Sequence, residues 1–204
     1  MRELTKIMGA CALFALAAPA NAADVSPYVS GKYGYGVSGW TGADYLPYGA
    51  MYAGAVGAVV KTDYINFRAE AEYTGHNQKA SVLESYGTFP TNDVERDVEP
   101  TEKFIYKKLN LYIDFLEEYV LKPYIGAGIG QGKVEESIKR FDNSGNYVRT
   151  DSASLSAITY SYYTGVGFKI LYGLSADLGI HVNNTKIPSD LYVFGVNAGL
   201  RYTF

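Results

Sequence analysis

Two glutamates that could act together in catalysis lie two residues apart in the chain, Glu70 and Glu72. On an extended strand they would share one face about 7 Å apart, a separation that suits the acid and base of an inverting glycosidase. Arg68 lies on the same face, and other strands carry further cations on their polar faces, among them Lys32 and Lys108. Carboxylates with cations so close favour a buried ionic network over a catalytic pair.

A glycine-rich run at 126–133 has the composition of a phosphate-binding loop but not its spacing. Such a loop needs a glycine five positions before Gly132 and a serine or threonine after Lys133, whereas Ala127 and Val134 stand there. Alternate glycines on one strand face instead make room for bulky side chains opposite. We therefore interpret this run as structural.

The remaining candidates for catalysis or metal binding also lack a partner. Asp177 and His181 share a strand face but would lie about 13 Å apart, beyond hydrogen-bond reach. His76, at the mouth of a predicted outer loop, has no candidate nucleophile nearby. The segment 142–146 resembles the start of a calcium loop, but Tyr147 replaces the required glycine. We predict no enzyme activity, no cofactor and no metal site.

The N-terminus has the pattern of an export signal. Basic residues precede an apolar stretch at 7–18, which ends in the small-x-small sequence Ala20–Ala22. We expect a cleaved signal peptide at 1–22 and a mature domain at 23–204, which leaves the mature chain without a thiol. Cleavage before Cys11, as in a lipoprotein, is the less favoured alternative because most of the apolar stretch follows that residue.

Alternation of apolar and polar residues predicts the elements that position these side chains. It is clear in five segments: 29–37, 65–74, 109–115, 174–183 and 192–204. Three weaker segments bring the count to eight strands: 50–60, 121–130 and 156–170. A period of two gives each strand one apolar and one polar face. Since the mature chain has no apolar stretch long enough for a membrane helix, any membrane span must consist of strands.

The predicted connections alternate between long and short. The long ones fall at about 39–49, 75–102 and 131–154. This rhythm is typical of an antiparallel barrel with long outer loops on one rim and short periplasmic turns on the other. The long loops carry acidic and aromatic residues, so any ligand surface is expected there.

Charges on the polar faces are balanced. The predicted lumen network has four residues of each sign: Lys32, Arg68, Glu70, Glu72, Lys108, Asp114, Asp177 and Arg201. Eight strands leave an interior just wide enough for side chains, so these charges should pair. Aromatic residues near the strand ends are expected in the headgroup zone: Tyr28, Trp40, Tyr48, Tyr64, Tyr73, Tyr119, Tyr172, Tyr192 and Phe204. A secreted β-sandwich is the alternative, but it requires neither alternating loop lengths nor charged inner faces.

Composition narrows the class of protein further. The chain has 204 residues, 48% of them hydrophobic, and a formal net charge of −3. These values fit one folded domain and provide no basic field for nucleic acid.

Several of these segments together resemble a known family. The predicted signal peptide, the strands Phe67–Tyr73 and Leu109–Phe115, the run Lys122–Gly130 and the terminal Leu200–Phe204 are similar to the small OmpA-like outer-membrane barrels, including the opacity-type porins. The resemblance implies an eight-stranded antiparallel transmembrane β-barrel in a bacterial outer membrane. It also implies that Tyr202 and Phe204 form the signal read by the barrel-assembly machinery.

The resemblance specifies activity less well, because members of this family serve as adhesins, envelope-stabilising proteins, antigens or narrow pores. We expect a structural or adhesion role through the outer loops, with a narrow porin-like channel for small solutes as the alternative. The expected partners are outer-membrane lipids and lipopolysaccharide, the assembly machinery, and host or envelope ligands at the loops. We expect a monomer.

Overall fold

Eight antiparallel strands close into a barrel in which each strand pairs with the next and β8 pairs with β1. The computed structural model describes residues 24–40, 48–62, 64–79, 96–116, 119–141, 147–186 and 190–204. The strands are β1 (Asp24–Trp40), β2 (Tyr48–Lys61), β3 (Ile65–Lys79), β4 (Arg96–Phe115), β5 (Leu121–Phe141), β6 (Tyr147–Leu171), β7 (Leu174–Thr185) and β8 (Leu191–Thr203). The predicted fold is confirmed. The predicted signal peptide lies outside the described residues.

The two faces of the barrel wall follow the alternation in the sequence. On β3 the charged side chains of Arg68 and Glu70 are buried, whereas Phe67, the residue before Arg68, is exposed. On β4 Leu111 is 62% exposed, and Tyr112 beside it is buried. Large apolar side chains thus cover the outside and polar ones fill the inside, the reverse of a soluble sheet. An apolar surface of this extent belongs in hydrocarbon.

Strands β4, β5 and β6 extend furthest beyond their predicted bounds. β3 and β4 include 75–79 and 96–102, and β5 and β6 include 131–141 and 147–154, so the prediction of loops is wrong for these residues. The predicted loop residues 41–47, 80–95 and 142–146 lie outside the described residues. The sequence signal is missing in the described extensions because the outer face of a sheet beyond the membrane meets water and not hydrocarbon. That face then requires no apolar residues, and the alternation disappears.

The extra length forms a three-stranded extension beyond the barrel. β6 pairs with β7 only from Thr159 onward, whereas its pairing with β5 continues to Tyr147. We call the segments 96–102 of β4, 135–141 of β5 and 147–155 of β6 the projecting sheet; its lowest β4 residues, Thr101 and Glu102, still pair with β3. It lies on the rim opposite the short turns.

The short turns and both chain ends of the barrel lie on the other rim, which is the periplasmic one in barrels of this kind. The β6–β7 turn contains Gly173, whose positive φ of 72° favours a residue without a side chain. The Phe204 amide donates a hydrogen bond of 2.9 Å to the Pro27 carbonyl and so ties the C-terminus to β1. Within the described ranges, no helix is long and apolar enough to cross a bilayer.

Candidate functional site in the barrel interior

Strands β1, β3 and β4 bring four of the predicted lumen charges together. Lys32 Nζ lies 3.0 Å from Glu70 Oε1 and 2.6 Å from Glu72 Oε2. Lys108 Nζ approaches the other oxygen of Glu72 at 2.9 Å. Each carboxylate is therefore compensated by a cation from a different strand, as buried charges require.

The other four predicted charges form a second cluster nearer the periplasmic rim. Arg68 lies 2.7 Å from Asp114 on the neighbouring strand β4. Arg201 of β8 reaches across to Asp114 at 3.8 Å and to Asp177 at 3.5 Å. All eight predicted residues therefore lie inside the barrel, in two groups of two cations and two anions.

Tyrosines that the sequence analysis did not assign to the lumen form hydrogen bonds within the same network. Tyr28 and Tyr112 donate hydrogen bonds of 2.9 and 2.7 Å to Glu70. Tyr163 donates to Asn110 at 3.2 Å. The Arg68 guanidinium lies 4.5 Å from the centre of the Tyr112 ring, a cation–π distance. The ionic network thus includes phenol groups from three strands, β1, β4 and β6.

Tyr28 corrects one prediction directly. It was expected in the headgroup zone, but its side chain is only 1% exposed and points inward. A tyrosine ring with a polar tip suits either site, so residue type alone cannot decide. The signal that could have decided is position, because Tyr28 and Lys32 are an even number of residues apart and hence share a face.

An apolar layer closes the interior on the extracellular side of the charges. It consists of Phe104, Tyr106, Val134, Leu191 and Val193, all buried. These side chains come from β4, β5 and β8, so the layer spans the lumen.

The sequence analysis expected His76 at the mouth of an outer loop. Instead, His76 lies inside the barrel beside this apolar layer. Its side chain is completely buried, and its ring centre is 5.6 Å from that of Phe104. Its Nε2 is 3.1 Å from the amide nitrogen of Gln78. The residue therefore packs inside the barrel wall, against Phe104.

Glycines on the inner faces provide the space for these side chains. A Cβ at Gly126 would overlap the Tyr112 ring, and one at Gly195 would overlap the His181 ring. Gly126 belongs to the glycine-rich run, which confirms that its inner glycines serve packing. The lumen is filled by large side chains on some strands because others carry none.

A small void lies between these groups. The described lumen contains a void of about 10 Å³, bordered by Lys32, Glu72, Lys108 and His181. Such a volume accommodates one water molecule.

The Nδ1 of His181 faces the amide of Asn197 at 3.1 Å and no carboxylate. Among the residues that the structure describes, no group of three potential ligands is arranged to hold a metal ion.

The predicted assembly signal lies on the outer surface at the periplasmic rim. Tyr202 and Phe204 are 47% and 68% exposed, and their ring centres are 5.1 Å apart with the planes nearly perpendicular. Tyr64, Tyr119 and Tyr172 are exposed at the short turns of the same rim. Aromatic side chains therefore surround this end of the barrel, as they do at membrane interfaces.

Comparisons with known proteins agree with this architecture. The model of the outer membrane protein beta-barrel domain family matches residues 8–204. Among solved structures, Neisserial surface protein A is 14% identical with a TM-score of 0.56, and the alignment covers 89% of this chain and 99% of that one. Ail, the attachment invasion locus protein of Yersinia pestis, is 15% identical with a TM-score of 0.50 and the same coverage. A comparison with curated protein sequences returns no significant match.

An enzyme shares the fold as well. The outer membrane protease OmpT from Escherichia coli is 12% identical with a TM-score of 0.53, covering 89% of this chain and 96% of that one. Similarity at such identities concerns the fold alone. Since the family match covers nearly the whole sequence and the strands close into the expected ring, the chain belongs to the outer membrane protein beta-barrel domain family and is a barrel of the bacterial outer membrane.

Proposed function

We propose that this barrel is a surface protein with a structural or recognition role, carried by the parts that extend outside the membrane. One observation supports this most strongly: the interior is closed by paired charges and an apolar layer, while three strands continue beyond the barrel. The packed lumen thus stabilises the barrel, and the outer segments are the parts that can contact other molecules.

The projecting sheet has the properties of a contact surface. Its β6 segment lies past the end of β7, so that edge of the sheet is not covered by the neighbouring barrel strand. Tyr147 and Leu155 on this segment are exposed, as are the small side chains at 152–154. An exposed strand edge can pair with an extended segment of another protein, and exposed aromatic and aliphatic side chains add apolar contact.

Charge favours a protein partner over a polyanion. The projecting sheet contains six acidic and four basic residues in its sequence. Ail of Yersinia pestis has been crystallised with the heparin analogue sucrose octasulfate. A net acidic sheet would repel such a sulfated sugar, so recognition here should depend on strand pairing and apolar contact.

A narrow channel for small solutes is the alternative. It is disfavoured because large side chains fill the described lumen and the void beside Lys32, Glu72 and Lys108 has a volume of about 10 Å³, room for one water molecule. Moving an ion through the lumen would require breaking buried pairs such as Lys32–Glu72. Purified protein in planar bilayers should therefore give no steady conductance; reproducible channels would favour the alternative.

Export and assembly are part of the same proposal. We infer that residues 1–22 direct export, that Tyr202 and Phe204 are read by the assembly machinery, and that the barrel works as a monomer in contact with lipopolysaccharide. The outward position of both aromatic rings at the end of β8 supports the assembly role. Phe204→Ala should then accumulate in the periplasm, whereas Phe194→Ala, an exposed aromatic position higher on β8, should still assemble.

The experiment that tests recognition removes the β5–β6 part of the projecting sheet and keeps the barrel. Glu135 and Ser154 are register partners, so deleting 136–153 and joining them by a two-residue Asn-Gly turn preserves the pairing below. Cells displaying the shortened protein should lose binding to immobilised host matrix or envelope proteins that intact protein binds. Equal surface display serves as the control. Unchanged binding by the shortened protein would refute the proposed role of the sheet.

A further inference from the structure

Outward side chains on β4 and β5 change from apolar to basic at one height. On β4 they are apolar from Phe115 up to Leu109, and Lys107 follows on the same face. On β5 the last outward aliphatic residue before the change is Ile129, followed by Gln131 and Lys133. The basic residues therefore begin where the hydrocarbon-facing rows end.

Three lysines form a compact group at this boundary, which we call the basic triad: Lys103, Lys107 and Lys133. Lys133 is the register partner of Ile105, which lies midway between the two β4 lysines. Lys133 is thus the diagonal neighbour of both, about 7–8 Å away between backbones. All three side chains point outward and are partly exposed to solvent.

The triad has an excess of positive charge. Its acidic neighbour is Glu135, which lies 2.5 Å from Lys133 and 3.8 Å from Lys103. Lys107 forms no ion pair with any residue that the structure describes. One anion for three cations contrasts with the interior, where cations and anions are equal in number.

Apart from Glu135, the triad has uncharged neighbours on the adjacent strands. Tyr73 of β3 is the register partner of Lys107, and Asn77 is that of Lys103. On the other side, Ser156 of β6 is opposite Lys133. The exposed phenol and amide groups of Tyr73 and Asn77 can donate further hydrogen bonds to an anion. The site thus combines positive charge, hydrogen-bond donors and an adjoining apolar surface on strands β3, β4 and β5.

From this geometry we propose that the basic triad binds the phosphate groups of an outer-leaflet lipid, with the acyl chains against the aliphatic rows below. Lysine stems lie along apolar surface and carry the ammonium to the headgroup level. Ammonium–phosphate hydrogen bonds are charge-assisted and strong. In this membrane the ligand is the phosphorylated headgroup of lipopolysaccharide. The inference rests on the proposed contact with lipopolysaccharide and not on the projecting sheet or its partner.

The test compares two matched pairs of lysines. K107Q/K133Q removes two charges from the triad, and K61Q/K169Q removes two exposed charges at the periplasmic rim. Each purified protein, in nanodiscs of phosphatidylcholine, is titrated with diphosphoryl lipid A, and bound lipid is counted by native mass spectrometry. We expect K107Q/K133Q to bind roughly tenfold more weakly or worse. K61Q/K169Q should match the wild type, and the charge-retaining K107R/K133R should keep most of the affinity.

Two further arms identify the source of the phosphate. Dephosphorylated lipid A should bind the wild type no better than it binds K107Q/K133Q. Inorganic phosphate should not be retained by the wild type in nanodiscs that lack lipid A. Equal lipid A affinity of the wild type and K107Q/K133Q would overturn the proposal, as would retention of free phosphate at the triad.

Discussion

Lys32 on β1 and Glu72 on β3 meet inside the barrel with 2.6 Å between Nζ and Oε2, although 40 residues separate them in the chain. Lys108 on β4 contacts the other oxygen of the same carboxylate. One anion thus links three strands, and its loss would leave two cations without their full compensation. The ionic interior therefore contributes to holding the barrel in one arrangement.

Removal of a single buried cation should be costly. Lys108 has a side chain that is 1% exposed, so Lys108→Met leaves Glu72 partly uncompensated and should lower the free energy of unfolding by about 3–5 kcal/mol. Lys61 pairs with Asp24 at the surface, and Lys61→Met should cost less than about 1 kcal/mol. Urea unfolding in lipid vesicles measures both. Similar losses of unfolding free energy in the two variants would show that burial does not increase the contribution of an ion pair to stability.

The Arg68–Asp114 pair should be coupled. Arg68→Met and Asp114→Asn each leave a buried charge or donor without its partner, so each single change should destabilise the barrel. The double variant should be more stable than the sum of the two losses predicts, by about 1–3 kcal/mol. A double-mutant cycle in vesicles measures this term. Additive losses would contradict the coupling.

The inner glycines should tolerate no side chain, in contrast to the outer ones. Gly195→Ala places a methyl group against the His181 ring and should cost about 1–3 kcal/mol. Gly31 faces outward with no atom within 4 Å of the added Cβ, so Gly31→Ala should be neutral or stabilising by up to about 1 kcal/mol. The same unfolding assay compares them, and a larger loss at Gly31 would be inconsistent with the assigned faces.

Acidic residues of the projecting sheet should respond to pH with opposite signs. An apolar belt about 25 Å tall needs about 10 tilted residues, so Glu102 on β4 lies above it. Burial, and then the nearby Glu136, raises the pKa of Glu102. The folded state therefore holds this proton more tightly, and its stability falls as pH rises from the ordinary carboxyl range to above the raised value. Glu102→Gln should stabilise the protein at neutral pH and have no effect below about pH 4.

Glu135 supplies the matched control for that pH dependence. Its hydrogen bond with Lys133 lowers the pKa of this exposed carboxyl. The resulting contribution is present above the ordinary carboxyl pKa and is lost as pH falls through the lowered one. Glu135→Gln should therefore cause a small loss at neutral pH. Thermal unfolding midpoints of both variants across this range test the pair, and a stabilising Glu135→Gln would contradict the assignment.

The sequence was sufficient for the barrel itself and for where its charges lie. Strands such as Ile65–Lys79 must alternate because hydrocarbon lies on one side and a packed lumen on the other. That constraint places Arg68 and Glu72 on the inner face without any knowledge of their partners. Which cation meets which anion depends on strand register and tilt, which the pattern of a single strand does not contain.

Two features escaped prediction for physical reasons. The outer parts of β5 and β6 are not in contact with lipid, so nothing imposes the alternation by which strands are recognised. Tyr28 was assigned to the interface because tyrosine is amphipathic and lies near a strand end. Its position relative to Lys32 was the better guide, since parity along a strand determines the face more reliably than residue type does.

The central claim is that lipid surrounds the apolar face of the wall and paired charges occupy the other. In a variant with Trp40 replaced by Phe, single tryptophans can be placed at the outward Leu109, Leu111 and Ile113 and at the buried Tyr106 and Tyr112. In reconstituted vesicles, lipids with brominated acyl chains should strongly quench the emission at the first three positions and leave the other two nearly unchanged. Equal quenching at all five, or the reverse order, would contradict the account.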